Sequence, residues 1–352
     1  MNVGPLEGPD ENGVLLPRGF ASRIVARSGV PPVEGKPFAW HPAPDGGAAF
    51  PTPRGGWVYV SNSEMANGKG GVSALRFAAD GKIVDAYSIL DKTTFNCAGG
   101  ATPWRTWLSC EEHPSGLVWE CDPLGTQPAR AWPALGAFVH EAVAIDLKRG
   151  HLYLTEDLPD GRWYRFTPAR RASGGRLDLG TGQLEVARIV DESGHVTWHP
   201  IRDPSGRTEP TRYQVPDSTV FRGGEGCWFG HERVYFTTKG DWRVWSYDPV
   251  RQAVQVLYDG RARMNPVLTG VDNVIGAAAG EVLVAEDDGD MQIVAVNSEG
   301  LATPIVQVLN HPHSEVAGPS FTPDGKRLYF SSQRGATGQH EGGVTYEITG
   351  PF

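Results

Sequence analysis

Long apolar runs are missing from this sequence. No stretch of its 352 residues is apolar over the roughly 20 positions that a membrane-spanning helix requires, so we expect no membrane partner. Residues 1–18 are polar, rich in glycine and proline, and lack the apolar core of a signal peptide. From the residues alone, the chain is therefore either cytoplasmic or a protein whose leader has been removed.

Cysteine is scarce. Four cysteines in a chain of this length do not make a disulfide scaffold. Cys110 and Cys121 could face each other across a hairpin centred on residues 114–116, which leaves two alternatives. One is a disulfide bridge, and the other, which we favour, is a pair of free buried thiols.

Basic residues are outnumbered. Lys and Arg total 32 against 41 Asp and Glu, which gives a formal net charge of −9. Without a basic stripe, this balance argues against a nucleic-acid partner. It fits a protein whose acids are partly neutralised by bound cations.

Long helical patterns are also absent, whereas Gly (45), Pro (28) and aromatic residues suit strands and turns. One pattern recurs, in which a short apolar strand is followed by a small residue and then a polar or acidic one. Its copies end at Glu64, Glu111, Glu156, Lys239, Glu286 and Gln333. The spacing of about 45 to 50 residues is typical of a four-stranded β-propeller blade. A polar, proline-rich insertion at about 191–216 lengthens one interval.

The repeat predicts an all-β fold, a six-bladed β-propeller with a metal site in the central channel. We expect one domain over residues 1–352, with the strand at 20–27 and the strand at 343–348 sharing the blade that closes the ring. The alternative is a seven-bladed ring in which the insertion hides a degenerate blade.

Acidic residues recur at matching places in the repeat and in the strand before it. In a propeller such places converge on the channel. Two unit charges about 4 Å apart repel by about 4 kcal/mol at an effective dielectric near 20, so a ring of carboxylates requires cations. Carboxylates above all suit calcium. The alternative is a set of solvated acids at strand ends. The candidate metal ligands of this kind are Glu64, Glu111, Glu156, Glu286, Glu141, Glu225, Asp272 and Glu315.

Cys97 and two basic residues stand out within this acidic set. Cys97 precedes the turn at Gly99-Gly100, and a thiolate beside carboxylates favours a transition metal. Arg222 and Lys239 could donate charged hydrogen bonds to a phosphate. The alternatives are a buried apolar cysteine and two structural salt bridges.

The segment 96–112, Asn-Cys-Ala-Gly-Gly-Ala-Thr-Pro-Trp followed by Ser-Cys-Glu-Glu, resembles the signature of the PhoX-type alkaline phosphatases. Further similarity lies at 140–142, 155–157, 272–273, 286–287 and 318–325. The resemblance covers most of the chain, which is shorter than full-length enzymes of the family. It implies a six-bladed propeller that binds Fe³⁺ and Ca²⁺ and hydrolyses phosphate monoesters.

The resemblance also implies roles for individual residues. It implies that Cys97, Glu141 and Glu225 are iron-side ligands. As calcium-side or bridging ligands it implies Glu64, Glu111 or Glu112, Glu156, Glu286 and Asp287. As phosphate-binding residues it implies Arg222, Lys239 and Asn62.

The predicted function is that of a metal-dependent phosphatase acting on small phosphate monoesters. Family members are typically exported, so the resemblance implies a periplasmic or secreted protein, with a cytoplasmic relative as the alternative, and we expect a monomer. Two other functions stay open. One is a calcium-dependent, lactonase-like propeller hydrolase, and the other is a non-catalytic calcium-binding propeller.

Overall fold

A computed structural model describes residues 3–287 and 289–352. In these ranges the regular structure is β-strand apart from short 3-10 helices, and no helix there is long and apolar enough to cross a membrane. The 3-10 helices are Pro133–Leu135, Ser173–Gly175, Thr211–Tyr213, Gly335–Thr337 and His340–Gly342.

Six antiparallel sheets surround a central channel, which confirms the predicted six-bladed propeller. Each innermost strand contacts the innermost strand of the next blade, and that of the last blade contacts that of the first. Blade 1 contains Pro44–Pro51, Trp57–Ser63, Gly70–Phe77 and Ile83–Thr93. Blade 2 contains Asn96–Ala101, Trp107–Glu111, Val118–Cys121 and Arg130–Ala131. Blade 3 contains His140–Asp146, His151–Glu156, Trp163–Pro168, Gly182–Ile189 and Val196–Pro200.

The other three blades complete the ring. Blade 4 contains Gly224–Gly230, Arg233–Thr238, Arg243–Asp248 and Ala253–Asp259. Blade 5 contains Val271–Gly276, Val282–Glu286, Gln292–Val296 and Ala302–Val308, with Val14–Leu15 at its edge. Blade 6 contains Val316–Phe321, Arg327–Ser332, Val344–Thr349 and Ala21–Arg27.

The ring is closed by strands from both ends of the described chain. Ala21–Arg27 pairs antiparallel with Val344–Thr349, with Ala21 opposite Thr349 and Arg27 opposite Val344. This confirms that the two segments share one blade. The insertion extends blade 3, because Val196–Pro200 pairs with Gly182–Ile189 as a fifth strand. No seventh sheet forms in the described ranges.

The second strand of each blade reads as a continuous apolar run because it is covered by blades on both faces. His151–Glu156, for example, is buried at every position after the first. Aromatic rings fill the gaps between blades. Trp163 of blade 3 stacks on Tyr153 of its own blade and on Phe236 of blade 4, with ring centroids 5.4 and 4.5 Å apart. Cys110 and Cys121 are buried and free, as favoured from the sequence.

A one-residue irregularity recurs in all six blades. Near the start of the innermost strand, one more residue is present than on the paired second strand. Such a bulge locally changes where a side chain points. The repeated bulge therefore shapes one end of the channel in the same way in every blade.

Candidate metal centre

Two rings of side chains surround the bulged end of the channel. The inner ring is the second residue of each innermost strand, and the outer ring is the residue directly after each second strand. In every blade the outer-ring N–H donates to the carbonyl of the residue before the innermost strand, over 2.7 to 3.2 Å. The inner ring is Asp45, Cys97, Glu141, Glu225, Asp272 and Ala317. The outer ring is Glu64, Glu112, Asp157, Lys239, Asp287 and Gln333.

Three groups of potential ligands lie within these rings, each with its ligand atoms within 4.8 Å of one another. Neighbouring groups share Cys97 or Glu141. The three groups are therefore one continuous cluster that passes through blades 1 to 5. They are Asp45–Glu64–Cys97, Cys97–Glu112–Glu141 and Glu141–Glu225–Asp272.

Glu141 lies at the centre of the cluster. It is fully buried, and neither carboxylate oxygen has a hydrogen-bond partner among the described residues. Burial and the nearby carboxylate of Glu225 raise the pKa of Glu141 well above its usual range. A buried carboxylate without a donor is strongly disfavoured unless it binds a proton or a cation.

The pKa values of neighbouring acidic groups are raised for the same reasons. Burial and the Glu64 carboxylate raise the pKa of Asp45 to about 8. Burial, Asp157 and Glu64 raise the pKa of Glu112 to about 10. Burial, together with the surrounding acids, also raises the pKa of the Cys97 thiol. These shifts arise because negative groups are concentrated in a space with little water, the condition under which cations bind.

The backbone of Cys97 is held by Asn62. The Asn62 amide donates to the carbonyls of Cys97 and Ala98 at 2.9 and 2.8 Å, and its oxygen accepts bonds from Trp107 and Ser109. Asn62 is fully buried. Its polar atoms are thus committed to the scaffold, and the structure does not support the phosphate-binding role predicted for it.

Three predicted metal ligands lie outside the cluster. Glu111, Glu156 and Glu286 each end a second strand, one residue before the outer ring, and none belongs to the three ligand groups. Their carboxylates accept backbone N–H groups instead. Examples are Thr94 and Leu117 for Glu111, and Thr269 and Gln292 for Glu286. Successive strand residues point to opposite sides, so a shift of one position removes them from the channel.

The oxygens of Glu156 are occupied in the same way. Oε2 accepts bonds from the Arg162 backbone N–H and the Tyr164 hydroxyl, and Oε1 pairs with Arg212 at 3.3 Å. The outer-ring residue beside it is Asp157.

Two further predicted ligands lie at the edge of the cluster. Asp287 is in the outer ring, and Glu315 precedes the innermost strand of blade 6; neither belongs to the three ligand groups. Glu315 is paired with Arg334 at 2.8 Å.

Lys239 is the one cation of the outer ring. Its Nζ lies 2.7 Å from Asp157, 2.8 Å from Glu225 and 3.9 Å from Asp287. Burial alone would lower the pKa of Lys239, but the carboxylates of Glu225 and Asp157 raise it, so the ammonium is stable. Arg222 lies beside it, since the Arg222 carbonyl accepts the Gly240 N–H at 2.9 Å. The Arg222 side chain is exposed and makes no ion pair with the described residues.

Four residues at the site are not predicted from the sequence: Asp45, Asp157, Gln333 and Arg334. The Gln333 amide donates to Asp45 and Glu64 at 2.6 and 2.8 Å, joining blade 6 to blade 1. A usable signal exists for Asp45. It is the second residue of its strand, as Cys97 is, and small residues follow it, so an alignment of blade starts would include it.

A comparison with protein families matches the chain to the family described as alkaline phosphatase PhoX, over residues 62–118 and 113–252. No curated protein sequence matches. Among solved structures, PhoX of Pseudomonas fluorescens in complex with vanadate, a transition state analogue, has a TM-score of 0.80 at 16% identity, covering 99% of this chain and 97% of that one. A gluconolactonase of Xanthomonas campestris has a TM-score of 0.55 at 12% identity, covering 100% and 99%.

The family match extends over more than half of the chain and includes Cys97, Glu141 and Lys239. The structural likeness agrees with it at the level of the fold. The chain therefore belongs to the PhoX alkaline phosphatase family.

Proposed function

We propose that this protein is a metal-dependent phosphatase that hydrolyses phosphate monoesters and binds iron and calcium in its two rings. The observation that carries the proposal is Glu141, whose two oxygens are buried without a donor at the point where two ligand groups meet. The residues fit the cations, because carboxylates outnumber basic groups throughout the cluster and a thiol lies among them.

The ligand types suggest how the metals are distributed. Cys97 belongs to two of the three groups, and a thiolate ligand favours a transition metal over calcium, so we assign iron to the Cys97–Glu112–Glu141 group. The groups on either side are dominated by carboxylates, which suit calcium. When bound, the metals supply Lewis acid chemistry at the phosphoryl group.

The chain's own contribution to the reaction begins with Lys239. Its ammonium is held in place by Asp157 and Glu225, and part of the side chain reaches solvent. It can donate a charged hydrogen bond to a phosphoryl oxygen and stabilise the charge that develops in the transition state. Arg222, exposed beside it, could close over the substrate from the rim.

A carbon-ester or lactone substrate is less consistent with these residues. It needs no cationic clamp, and it gives the Cys97 thiol no role. The likeness to the gluconolactonase shows a shared propeller fold only, at 12% identity. From the family we further propose a small-molecule phosphate ester as substrate, a monomer, and an exported protein.

The proposal is tested by measuring hydrolysis together with metal content. Protein purified without chelator is analysed for iron and calcium, then assayed on an aryl phosphate, an aryl carboxylate ester and a lactone. We expect hydrolysis of the phosphate alone, loss of activity on chelation, and recovery on adding back both metals. Lactone hydrolysis with calcium alone would establish the lactonase instead, and metal binding without any hydrolysis would establish a binding module.

A further inference from the structure

Blade 6 differs from the other five at the site. It places Ala317 in the inner ring and Gln333 in the outer ring, so neither ring position in this blade carries an acid. The three ligand groups lie entirely on blades 1 to 5. One sector of the cluster's rim is therefore free of ring carboxylates.

Arg334 occupies this sector. It directly follows Gln333, its Nη1 pairs with Glu315 at 2.8 Å, and its side chain is 29% exposed. Its backbone N–H donates to the Ser314 hydroxyl at 2.9 Å, which fixes the start of the side chain. Among the described residues, the other guanidinium nitrogens have no hydrogen-bond acceptor, and they are not buried. These donors are available to an anion from solvent.

The charge of Arg334 acts on the cluster from blade 6, two blades away from Lys239. It interacts electrostatically with Glu315, and also with Asp45 and Glu64 of blade 1. Lys239 pairs with acids of blades 3 and 4. Asp287, on blade 5 between them, interacts with both cations. The two cations therefore lie on either side of Asp287, at the part of the rim formed by blades 4 to 6.

We propose that Arg334 is a phosphate-binding residue, which, resting on the function proposed above, holds phosphoryl oxygens of the substrate together with Lys239. A guanidinium presents several donors in one plane and matches two oxygens of a phosphate at once. Its anchor on Glu315 fixes one nitrogen and leaves the rest of the fork for the ligand. Two cations at the rim of the cluster favour the dianionic phosphate of a monoester.

The test compares Arg334→Gln with Arg233→Gln. Arg233 is equally exposed, at 29%, and is paired with Asp248, but it begins the second strand of blade 4, at the end away from the rings. For both variants, binding of inorganic phosphate to the metal-loaded protein is measured by calorimetry. Iron and calcium content, and KM and kcat on an aryl phosphate, are measured beside it.

We expect Arg334→Gln to bind phosphate about 10- to 100-fold more weakly, since a hydrogen bond to a charged group is lost, with metal content unchanged. KM should rise, Arg334→Lys should recover part of the affinity, and Arg233→Gln should match the wild type. Equal phosphate affinity in the two glutamine variants would overturn the inference and leave the phosphatase proposal standing.

Two other results are also decisive. Loss of metal together with phosphate affinity would mean that Arg334 acts through Glu315 on the metal cluster, which overturns a direct role. A third result would separate the two proposals. If Arg334→Gln weakens phosphate binding but the wild-type protein hydrolyses no phosphate ester, the inference is upheld and the proposed function is overturned.

Discussion

At the scale of single residues, Glu141 and Glu111 show how differently two glutamates can serve one fold. Glu141 has no donor, whereas Glu111 accepts backbone N–H groups from Thr94 and Leu117. We predict that Glu141→Gln lowers the metal content and raises the melting temperature of the metal-free protein, because a buried negative charge is removed.

Glu111→Gln is the matched comparison for that experiment. It should retain the metals and lose about 1–3 kcal/mol of stability, since its backbone partners are left less well satisfied. Elemental analysis and thermal unfolding of both variants, with and without metals, provide the measurement. Full metal content in Glu141→Gln would contradict its central place in the cluster.

Cys97 separates an iron-and-calcium enzyme from a calcium-only propeller. We predict that Cys97→Ala loses iron and phosphatase activity together, keeps much of its calcium and still folds, because calcium gains little from sulfur. Cys97→Ser should keep some iron through oxygen. Cys110→Ala, which removes a free buried thiol outside the ligand groups, is the control and should retain iron. Equal iron content in Cys97→Ala and Cys110→Ala would make Cys97 a core residue.

The cations beside the cluster make a further residue-level prediction. Lys239→Ala should lower kcat/KM on an aryl phosphate by about a hundredfold or more, the usual cost of removing one such donor. Arg222→Ala should also lower it, although the exposed side chain has no described ion partner. Wild-type kinetics in both variants would mean that neither residue binds the substrate.

At the scale of elements, the repeated bulge determines which residues enter the channel. Gly46 follows the inner-ring residue of blade 1, and a Cβ atom there would lie 2.6 Å from the Ala98 Cα and 2.9 Å from the Cys97 carbonyl oxygen. We predict that Gly46→Ala costs about 1–3 kcal/mol and weakens metal binding, because blades 1 and 2 must separate. Gly8→Ala, where a Cβ meets nothing within 4 Å, should change neither. Thermal unfolding with and without metal is the measurement.

The bulge also explains how far the site could be predicted. Strand periodicity and repeat length are visible in the sequence, so the six blades and the shared closing blade follow from it. The repeat places Glu64 in the same phase as Glu111, Glu156 and Glu286, but Glu64 lies one residue later relative to its strand end. A slip of one residue reverses the side to which a strand residue points, and the strand end that fixes this phase depends on pairing that no local pattern reveals.

The position of Arg334 on blade 6 could not be predicted from the sequence for a related reason. Arg334 lies near the cluster only because the ring closes, which brings blade 6 against Asp45 and Glu64 of blade 1. Residues 288 and 269 positions apart in the chain thus meet. Lys239, in contrast, was identified because it occupies a repeat position of its own blade.

At the scale of the whole molecule, the cluster is a concentration of negative charge held by the fold. Among the described residues, eight carboxylates lie in the two rings and Glu315 lies directly before an innermost strand, against the cations Lys239 and Arg334. We predict that exhaustive chelation lowers the melting temperature and that restored calcium raises it. A site whose cation is present at roughly 100 times its Kd adds about 3 kcal/mol to the free energy of unfolding. An unchanged melting curve after confirmed metal loss would contradict a cation-filled channel.

Blade 6, which closes the ring, contains both an early strand and the latest described strand in order of synthesis. Val344–Thr349 lies between Ala21–Arg27 and Arg327–Ser332. Ala21–Arg27 therefore has no strand partner until the other five blades and Val344–Thr349 have been synthesised. The amide of Gln333 can reach Asp45 and Glu64 only after that blade forms. We therefore expect a nascent chain to carry the acids of blades 1 to 5 as an open arc, which the Gln333 amide joins to blade 1 only after residues 344–349 have emerged and the ring has closed.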